Sequence, residues 1–186
     1  MRKIVVPMTV SLDQYMEGPD RDISWHLVDE ELHDHFNEWL APSGAFLEGR
    51  VTYELMAGVW PTAGADPAST RPMVEFARIW LDMPKIVYSR TLEHADWNTT
   101  IVREVVVDEV LALKAEPGGD LVLGGADLAA TFRKHDLIDE YRLYVNPILL
   151  GAGTPLFGPS DARTGLRLVD TRVFGNGVVL LHYERV

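Results

Sequence analysis

The sequence contains no cysteine among its 186 residues, which excludes disulfides, thiolate catalysis and cysteine-based zinc sites. It also lacks an apolar run long enough to cross a bilayer, and the apolar stretch near Met1 is too short for a signal peptide. Basic residues are scarce: 17 Lys and Arg stand against 28 Asp and Glu, a net charge of −11. This charge argues against nucleic acid or an anionic membrane as the main partner. We expect a cytoplasmic protein that acts on a small molecule.

Several common functional motifs are missing as well. Gly151-Ala152-Gly153 is followed by Thr154-Pro155 rather than by a helix, so it is not a Rossmann fingerprint. The chain has neither a P-loop lysine motif nor a Gly-x-Ser-x-Gly elbow. Glu30 and His33 have the spacing of half a di-iron helix motif, but no second copy exists. We therefore predict no metal site.

What the chain does contain is an alternation of strand and helix patterns over residues 1–186, which predicts a single α/β domain with a mixed sheet. Pro7 lies within the first strand pattern, where we expect a bulge or an unpaired position. The predicted strands are Lys3–Ser11, Ala45–Leu47, Ile86–Tyr88, Thr99–Arg103, Leu121–Leu123 and Ile138–Leu150, with a terminal hairpin of Leu166–Phe174 and Val178–Tyr183. The predicted helices are Val28–Leu40, Val51–Val59, Pro72–Leu81, Val107–Lys114 and one after Gly125, and Leu12–Trp25 and Trp60–Ser69 are predicted loops.

Three strand-to-helix junctions carry small, hydroxyl or arginine residues. They are Gly49-Arg50-Val51-Thr52, Ser89-Arg90-Thr91 and Gly124-Gly125-Ala126. Because the carboxyl ends of parallel strands meet at one edge of the sheet, the three junctions are expected to lie together. Free N–H groups at helix starts, guanidinium groups and hydroxyls all suit phosphate. The sequence thus indicates a nucleotide-sized anion site, although each junction alone also fits a simple turn or cap.

An acidic cluster, Asp29-Glu30-Glu31, stands where the first helix begins. Acidic residues in a first turn complement the helix dipole, and this structural interpretation remains open. The helical phase places Asp29 near the border of the apolar face and turns Glu30 away from it. If one carboxylate enters a cleft between helix and sheet, Asp29 is favoured, and burial would raise its pKa towards that of a useful proton donor.

Six segments in this order resemble the dihydrofolate reductase superfamily, and within it the branch that contains the reductase domain of bacterial riboflavin biosynthesis. The segments are Met8–Asp13, Trp25, Gly49–Glu54, Lys85–Arg90, Leu123–Gly125 and Tyr144–Gly151. The resemblance implies a dihydrofolate-reductase-like three-layer fold. Its mixed, mostly parallel central sheet would be flanked by helices and would end in a C-terminal antiparallel hairpin.

The resemblance also implies NADPH binding. Gly49, Arg50 and Thr52 would hold the phosphates, while Ser89 and Arg90 would lie near the adenosine 2′-phosphate. Gly124 and Gly125, joined by a cis peptide bond as in the family, would face the pyrophosphate and nicotinamide. Ala126 and Leu128 would complete this wall, and Leu12–Trp25 would close over the nicotinamide. Asp127, where folate enzymes often have a basic residue, keeps NADH open as the cofactor.

The same resemblance implies that the chain would be an NAD(P)H-dependent oxidoreductase that reduces a C=N or C=O bond of a small pterin-like, pyrimidine or sugar-linked substrate. Asp29 or Glu30 would supply the acid, Asp13 would face the substrate, and Trp25 and Asn146 would help to bind it. A homodimer is expected from the riboflavin-type branch. Two alternatives remain: a non-catalytic nucleotide- or pterin-binding module of the same fold, and a true dihydrofolate reductase.

Overall fold

The computed structural model describes residues 1–158 and 163–186. The strands are β1 Ile4–Ser11, β2 Tyr15–Glu17, β3 Ala45–Gly49, β4 Lys85–Tyr88, β5 Thr99–Val102, β6 Leu121–Gly124, β7 Glu140–Asn146, β8 Thr154–Pro155, β9 Leu166–Val173 and β10 Val179–Arg185. The helices are α1 Glu30–Leu40, α2 Arg50–Ala57, α3 Trp60–Ala63, α4 Arg71–Asp82, α5 Val107–Ala115 and α6 Ala126–Lys134, with a short 3₁₀ turn at Pro19–Arg21.

Eight of these strands form the central sheet in the order β5-β4-β3-β6-β1-β7-β10-β9. The pairs from β5 to β7 are parallel, whereas β10 runs antiparallel to β7 and β9 antiparallel to β10. The mostly parallel sheet and the C-terminal antiparallel hairpin are therefore confirmed. The parallel order brings the C-terminal ends of β3, β4 and β6 to one edge, where the three predicted junctions follow.

Helices cover both faces of the sheet, which confirms the three-layer arrangement. On one face α5 and α6 pack Val110 and Phe132 against the strand residues Leu47 and Leu123. On the other face, α1 and α4 pack their apolar sides against Phe46, Val87 and Val122; the helical residues are Leu40, Phe76 and Trp80. Burial of such apolar side chains is the main source of stability for a sheet with two covered faces.

Three local expectations need correction. The segment predicted as the loop Trp60–Ser69 begins with α3, since Trp60 packs edge-on against Phe76 of α4 and orders the start of the segment. The predicted loop Leu12–Trp25 contains β2 and the 3₁₀ turn, and β2 pairs with β8. Pro7 causes no bulge, because β1 pairs continuously with β7 through this position. The alternative expectation of an unpaired position agrees with the structure on the other side, where pairing with β6 ends at Val5.

Candidate functional site

Two of the predicted junctions form the walls of one cavity of about 470 Å³, named here the glycine-lined cavity. Six residues predicted to bind the cofactor line it: Gly49, Arg50, Thr52, Gly125, Ala126 and Leu128. Met16, Glu17 and Arg21 of the segment Leu12–Trp25 line it from another side. The structure therefore brings together most of the residues that the sequence assigned to phosphate binding.

Two helix N-termini open into this cavity without side-chain caps. The N-cap residues are Gly49 for α2 and Gly125 for α6, and neither helix has a capping hydrogen bond from a side chain. The first N–H groups of a helix have no partner within the helix and carry partial positive charge. Two such ends facing one cavity, with Arg21 and Arg50 beside them, make a suitable binding site for a phosphate-bearing ligand.

Gly125 must be glycine on two grounds. Its φ of 97° lies in a region that L side chains rarely adopt, and a Cβ there would lie 2.8 Å from Oγ1 of Thr52. The Gly124–Gly125 bond is trans, since the described residues include no cis peptide bond. The expected cis bond is thus not present; the positive φ of Gly125 turns the chain from β6 into α6 instead.

Ser89 and Arg90 follow Tyr88, which lines the glycine-lined cavity, but neither of them lines it. The Ser89 hydroxyl accepts hydrogen bonds from the backbone N–H groups of Thr91 and Leu92, at 3.2 and 2.9 Å. Ser89 is buried and Arg90 is exposed. The geometry gives Ser89 a turn-forming role, and the assignment of this pair to a 2′-phosphate stays a prediction.

A second cavity, of about 480 Å³, adjoins the first and is named here the apolar cavity. Aromatic side chains from α1, α3 and α4 form much of its wall: Phe36, Trp39, Trp60 and Phe76. It opens where β1 and β6 separate beyond Val5, because Pro7, Met8 and Thr9 line it on one side and Val122 and Gly124 on the other. Thr52 lines both cavities, and Gly124 and Gly125 lie on either side of the boundary.

The three carboxylates expected at the reacting centre line neither cavity. Asp29 is exposed and caps α1, where its Oδ1 accepts a hydrogen bond from Leu32 N at 2.9 Å; Glu30 is exposed. Asp13 joins distant parts of the backbone, accepting hydrogen bonds from the N–H groups of Leu150 and Gly151. The hydroxyl of Ser11 and these N–H groups lower the pKa of Asp13. Capping of α1 and loop anchoring occupy the two aspartates in this structure, and the assignment of these carboxylates to the reacting centre stays a prediction.

The two predicted substrate contacts also serve the fold. Asn146 is 1% exposed, and its Oδ1 accepts from Leu27 N at 2.9 Å, while its Nδ2 donates to the carbonyls of Val10 and Tyr144. Trp25 is buried, and its Nε1 donates to the carbonyl of Asp22. Both residues fix the segment that precedes α1, and neither lines the apolar cavity.

One carboxylate does lie in the apolar cavity, and the sequence did not indicate it. Glu48, on β3, is 2% exposed, and its Oε2 is buried without a hydrogen-bond partner. Burial raises the pKa of Glu48 to about 7, against an opposing attraction from Lys85. Lys85 itself donates to the carbonyls of Met83 and Trp97 and lies over the ring of Trp80. The site thus holds a carboxyl group that can gain or lose a proton near neutral pH.

Arg21 is a second residue that sequence reasoning missed. It lines the glycine-lined cavity although it comes from the segment before α1, in a region without periodic pattern. Its charge would favour an anion there, whereas Asp127 and Glu17 on the same cavity oppose one. Within residues 1–158 and 163–186, no three His, Asp or Glu side chains cluster as metal ligands would.

The sequence pattern of the RibD C-terminal domain matches residues 2–180. The chain belongs to the RibD C-terminal domain family. The protein YyaP of Bacillus subtilis (strain 168) is 33% identical over 184 residues, which cover 98% of this chain and 95% of YyaP. YwjB of the same strain is 31% identical over 189 residues, and this alignment covers 99% of this chain and 98% of YwjB.

Solved structures agree on the fold of this family. A candidate riboflavin biosynthesis protein from Shewanella sp. PV-4 aligns with a TM-score of 0.76 at 22% identity, with 99% of each chain covered. Dihydrofolate reductase from Enterococcus faecalis, solved in complex with NADP(H), aligns with a TM-score of 0.63 at 15% identity, covering 98% of this chain and 96% of that one. The dihydrofolate-reductase-like fold is therefore confirmed. In the part of the chain that the structure describes, no helix has the length and apolar character required to span a membrane.

Proposed function

We propose that this protein is an NAD(P)H-dependent reductase that transfers hydride to a C=N or C=O bond of a small pterin-like, pyrimidine or sugar-linked substrate. The nicotinamide supplies the hydride, and the protein supplies binding, orientation and exclusion of water. The proposal places the phosphates of NADPH in the glycine-lined cavity and the reducible group in the apolar cavity.

One observation carries this proposal: the two cavities adjoin at Thr52 and the Gly124–Gly125 turn. A reductase of this type needs a polar groove for the phosphates next to a dry chamber for the reacting rings. The glycine-capped starts of α2 and α6 suit the phosphates, and the aromatic wall of the apolar cavity suits a planar ring. Membership of the RibD C-terminal domain family supports the same assignment.

The residues present fit a dinucleotide cofactor. The absence of a side chain at Gly125 leaves Thr52 Oγ1 free to face the cavity, because a Cβ would meet this oxygen at 2.8 Å. Arg21 and Arg50 supply positive charge, although Arg50 also pairs with Glu54 at 2.8 Å. Asp127 lies beside them, so a preference for NADPH over NADH would depend on the arginines outweighing it.

NADPH titration tests the cofactor assignment. Binding would quench tryptophan emission through energy transfer to the nicotinamide, and Thr52→Val should raise the Kd by about tenfold through loss of a hydrogen bond to a charged group. Thr100→Val, on the exposed side of the edge strand β5, is the matched control and should leave the Kd unchanged. A protein that shows no change in fluorescence or melting temperature at millimolar NADPH would contradict the proposal.

A second candidate is a binding module of the same fold without turnover. It is favoured by the positions of Asp13, Asp29 and Glu30, none of which lines either cavity. Oxidation of NADPH in the presence of dihydrofolate would exclude the binding module, because a module binds cofactor without consuming it. The same assay tests true dihydrofolate reductase activity.

We further propose a homodimer formed through β9. All eight residues of this edge strand, Leu166–Val173, are exposed, and they include Leu168 and Val169. A fully exposed strand with apolar side chains is a ready pairing surface for a second copy of the chain. Light scattering on the purified protein would measure the mass directly.

A further inference from the structure

Glu48 has no structural role that its surroundings can explain. It lies on β3 between β4 and β6, with 2% of its surface exposed, and its Oε2 has no hydrogen-bond partner. A buried polar group without a partner destabilises the folded state. A group of this kind that faces a cavity is better explained by a ligand that it contacts than by packing.

Its position links the two cavities. Glu48 lines the apolar cavity, and the next residue, Gly49, lines the glycine-lined cavity as the N-cap of α2. Glu48 also lies beside the glycine turn, since its Cγ is 3.8 Å from the place where a Cβ of Gly124 would be. The carboxyl group is therefore close to the boundary at which a reducible bond and a hydride donor would meet.

None of the charged and titratable groups around Glu48 in the part of the chain that the structure describes forms an ion pair with it, so its carboxyl group can exchange a proton. Lys85, from β4, directs its ammonium to the carbonyls of Met83 and Trp97, and no ion pair within 4 Å joins it to Glu48 in the described residues. His33, from α1, lines the same cavity, and burial lowers its pKa, which favours its neutral form. Tyr144, from β7, is held neutral because burial raises its pKa. Glu48 is then the acid of this cavity best able to exchange a proton near neutral pH.

Building on the proposed function, we propose that Glu48 is the proton donor of the reduction. Glu48 in its neutral form gives its proton to the substrate nitrogen or oxygen while the adjacent carbon accepts hydride from NAD(P)H. The C=N or C=O π bond breaks, and its electron pair forms the new N–H or O–H bond. The substrate gains two electrons, the nicotinamide loses two, and the Glu48 carboxylate regains a proton from water before the next turnover.

The first test needs no substrate. NADP⁺ carries a positive charge on its ring that NADPH lacks, and a positive charge near a carboxyl favours the carboxylate. In wild-type protein the affinity for NADP⁺ should rise about tenfold between pH 6 and pH 8, relative to that for NADPH. Glu48→Gln should bind both forms with no such difference in pH dependence, whereas Glu38→Gln, an exposed glutamate of α1, should behave as wild type.

The second test uses dihydrofolate as a C=N probe under saturating NADPH. Glu48→Gln should slow the hydride-transfer step by about 100-fold or more, and the wild-type rate should fall as pH rises through 7, a dependence that the variant loses. A Glu48→Gln variant that keeps the wild-type rate, or wild-type protein whose NADP⁺ affinity shows no extra pH dependence, overturns the proton-donor role. Where dihydrofolate is not reduced, the NADP⁺ measurement alone decides. If neither cofactor form binds, it is the proposed function that fails.

Discussion

Glu48 makes the stability of this protein depend on pH in a way that can be calculated. Its pKa is about 7 in the folded state against 4.5 for an ordinary glutamate, so the folded state binds the proton more tightly. Stability conferred by the neutral form is present below pH 4.5 and is lost as pH rises to 7, because the unfolded chain ionises first. A difference of 2.5 pKa units corresponds to about 3 kcal/mol. Glu48→Gln keeps the shape of the neutral acid and removes this loss.

We therefore expect Glu48→Gln to be more stable than wild type at pH 8. The difference in unfolding free energy between the variant and wild type should be about 3 kcal/mol larger at pH 8 than at pH 4.5. Urea unfolding of both proteins at several pH values measures this, because the contributions of the titrating groups that do not interact with Glu48 cancel in the difference between the two proteins; Lys85, whose pKa the Glu48 carboxylate raises, is the group that does not cancel. Glu38→Gln is the control and should show no such trend. A stability difference that stays constant from pH 4.5 to pH 8 would refute the reasoning, since it would mean that Glu48 titrates alike in the folded and unfolded chain.

Gly125, Asn146 and Leu168 hold other parts of the structure that substitution can test. Gly125→Ala should weaken NADPH binding at least about tenfold and destabilise the fold by about 2 kcal/mol, since the φ of 97° and the approach to Thr52 both oppose a Cβ; titration and urea unfolding measure the two effects. Asn146→Ala should cost about 2 kcal/mol of stability in urea, because Leu27 N loses its acceptor and two buried carbonyls lose a donor. Leu168→Asp on β9 should convert the proposed homodimer to monomers, as seen by light scattering.

Each of these predictions has a control and a contrary outcome. Gly64→Ala at the end of α3 is the control for Gly125, because a Cβ there would meet nothing within 4 Å. Equal effects of the two substitutions on NADPH affinity would count against the glycine-lined cavity as the binding site. Asn176→Ala, on the exposed hairpin turn, should cost less than Asn146→Ala. Thr100→Asp, on the opposite edge strand, should leave the mass unchanged, and wild-type protein that is already monomeric would contradict the dimer.

The fold could be predicted because periodicity and glycine–proline punctuation act locally. Apolar strand patterns that alternate with helical ones predicted the α/β domain with a mixed sheet, and the Gly175–Gly177 turn indicated the terminal hairpin. The elements that escaped prediction depend on tertiary contacts. The helix α3 is ordered by packing of Trp60 on Phe76, and β2 by pairing with the two-residue strand β8.

The sequence predicted the junctions of the glycine-lined cavity but not the carboxylate of the apolar cavity. Glycines and arginines at strand ends indicate phosphate binding by their type alone, and the structure gathers most of them in one cavity. Carboxylates carry no such signal, because most are exposed and a helix start accounts for Asp29 equally well. The strand predicted to end at Leu47 continues through Glu48, and only the covering helices turn that glutamate into a buried group.

Gly49 leaves the N-terminus of α2 without a side-chain cap, at a small cost in stability. Its φ of −77° suits any residue, and a Cβ there would meet nothing within 4 Å, so neither backbone strain nor crowding demands glycine. A serine or aspartate would cap α2 and stabilise it by a few tenths of a kcal/mol. The chain forgoes that gain at a position open to the cavity. The uncapped start of α2 costs a little stability and leaves space and unpaired N–H donors facing the glycine-lined cavity.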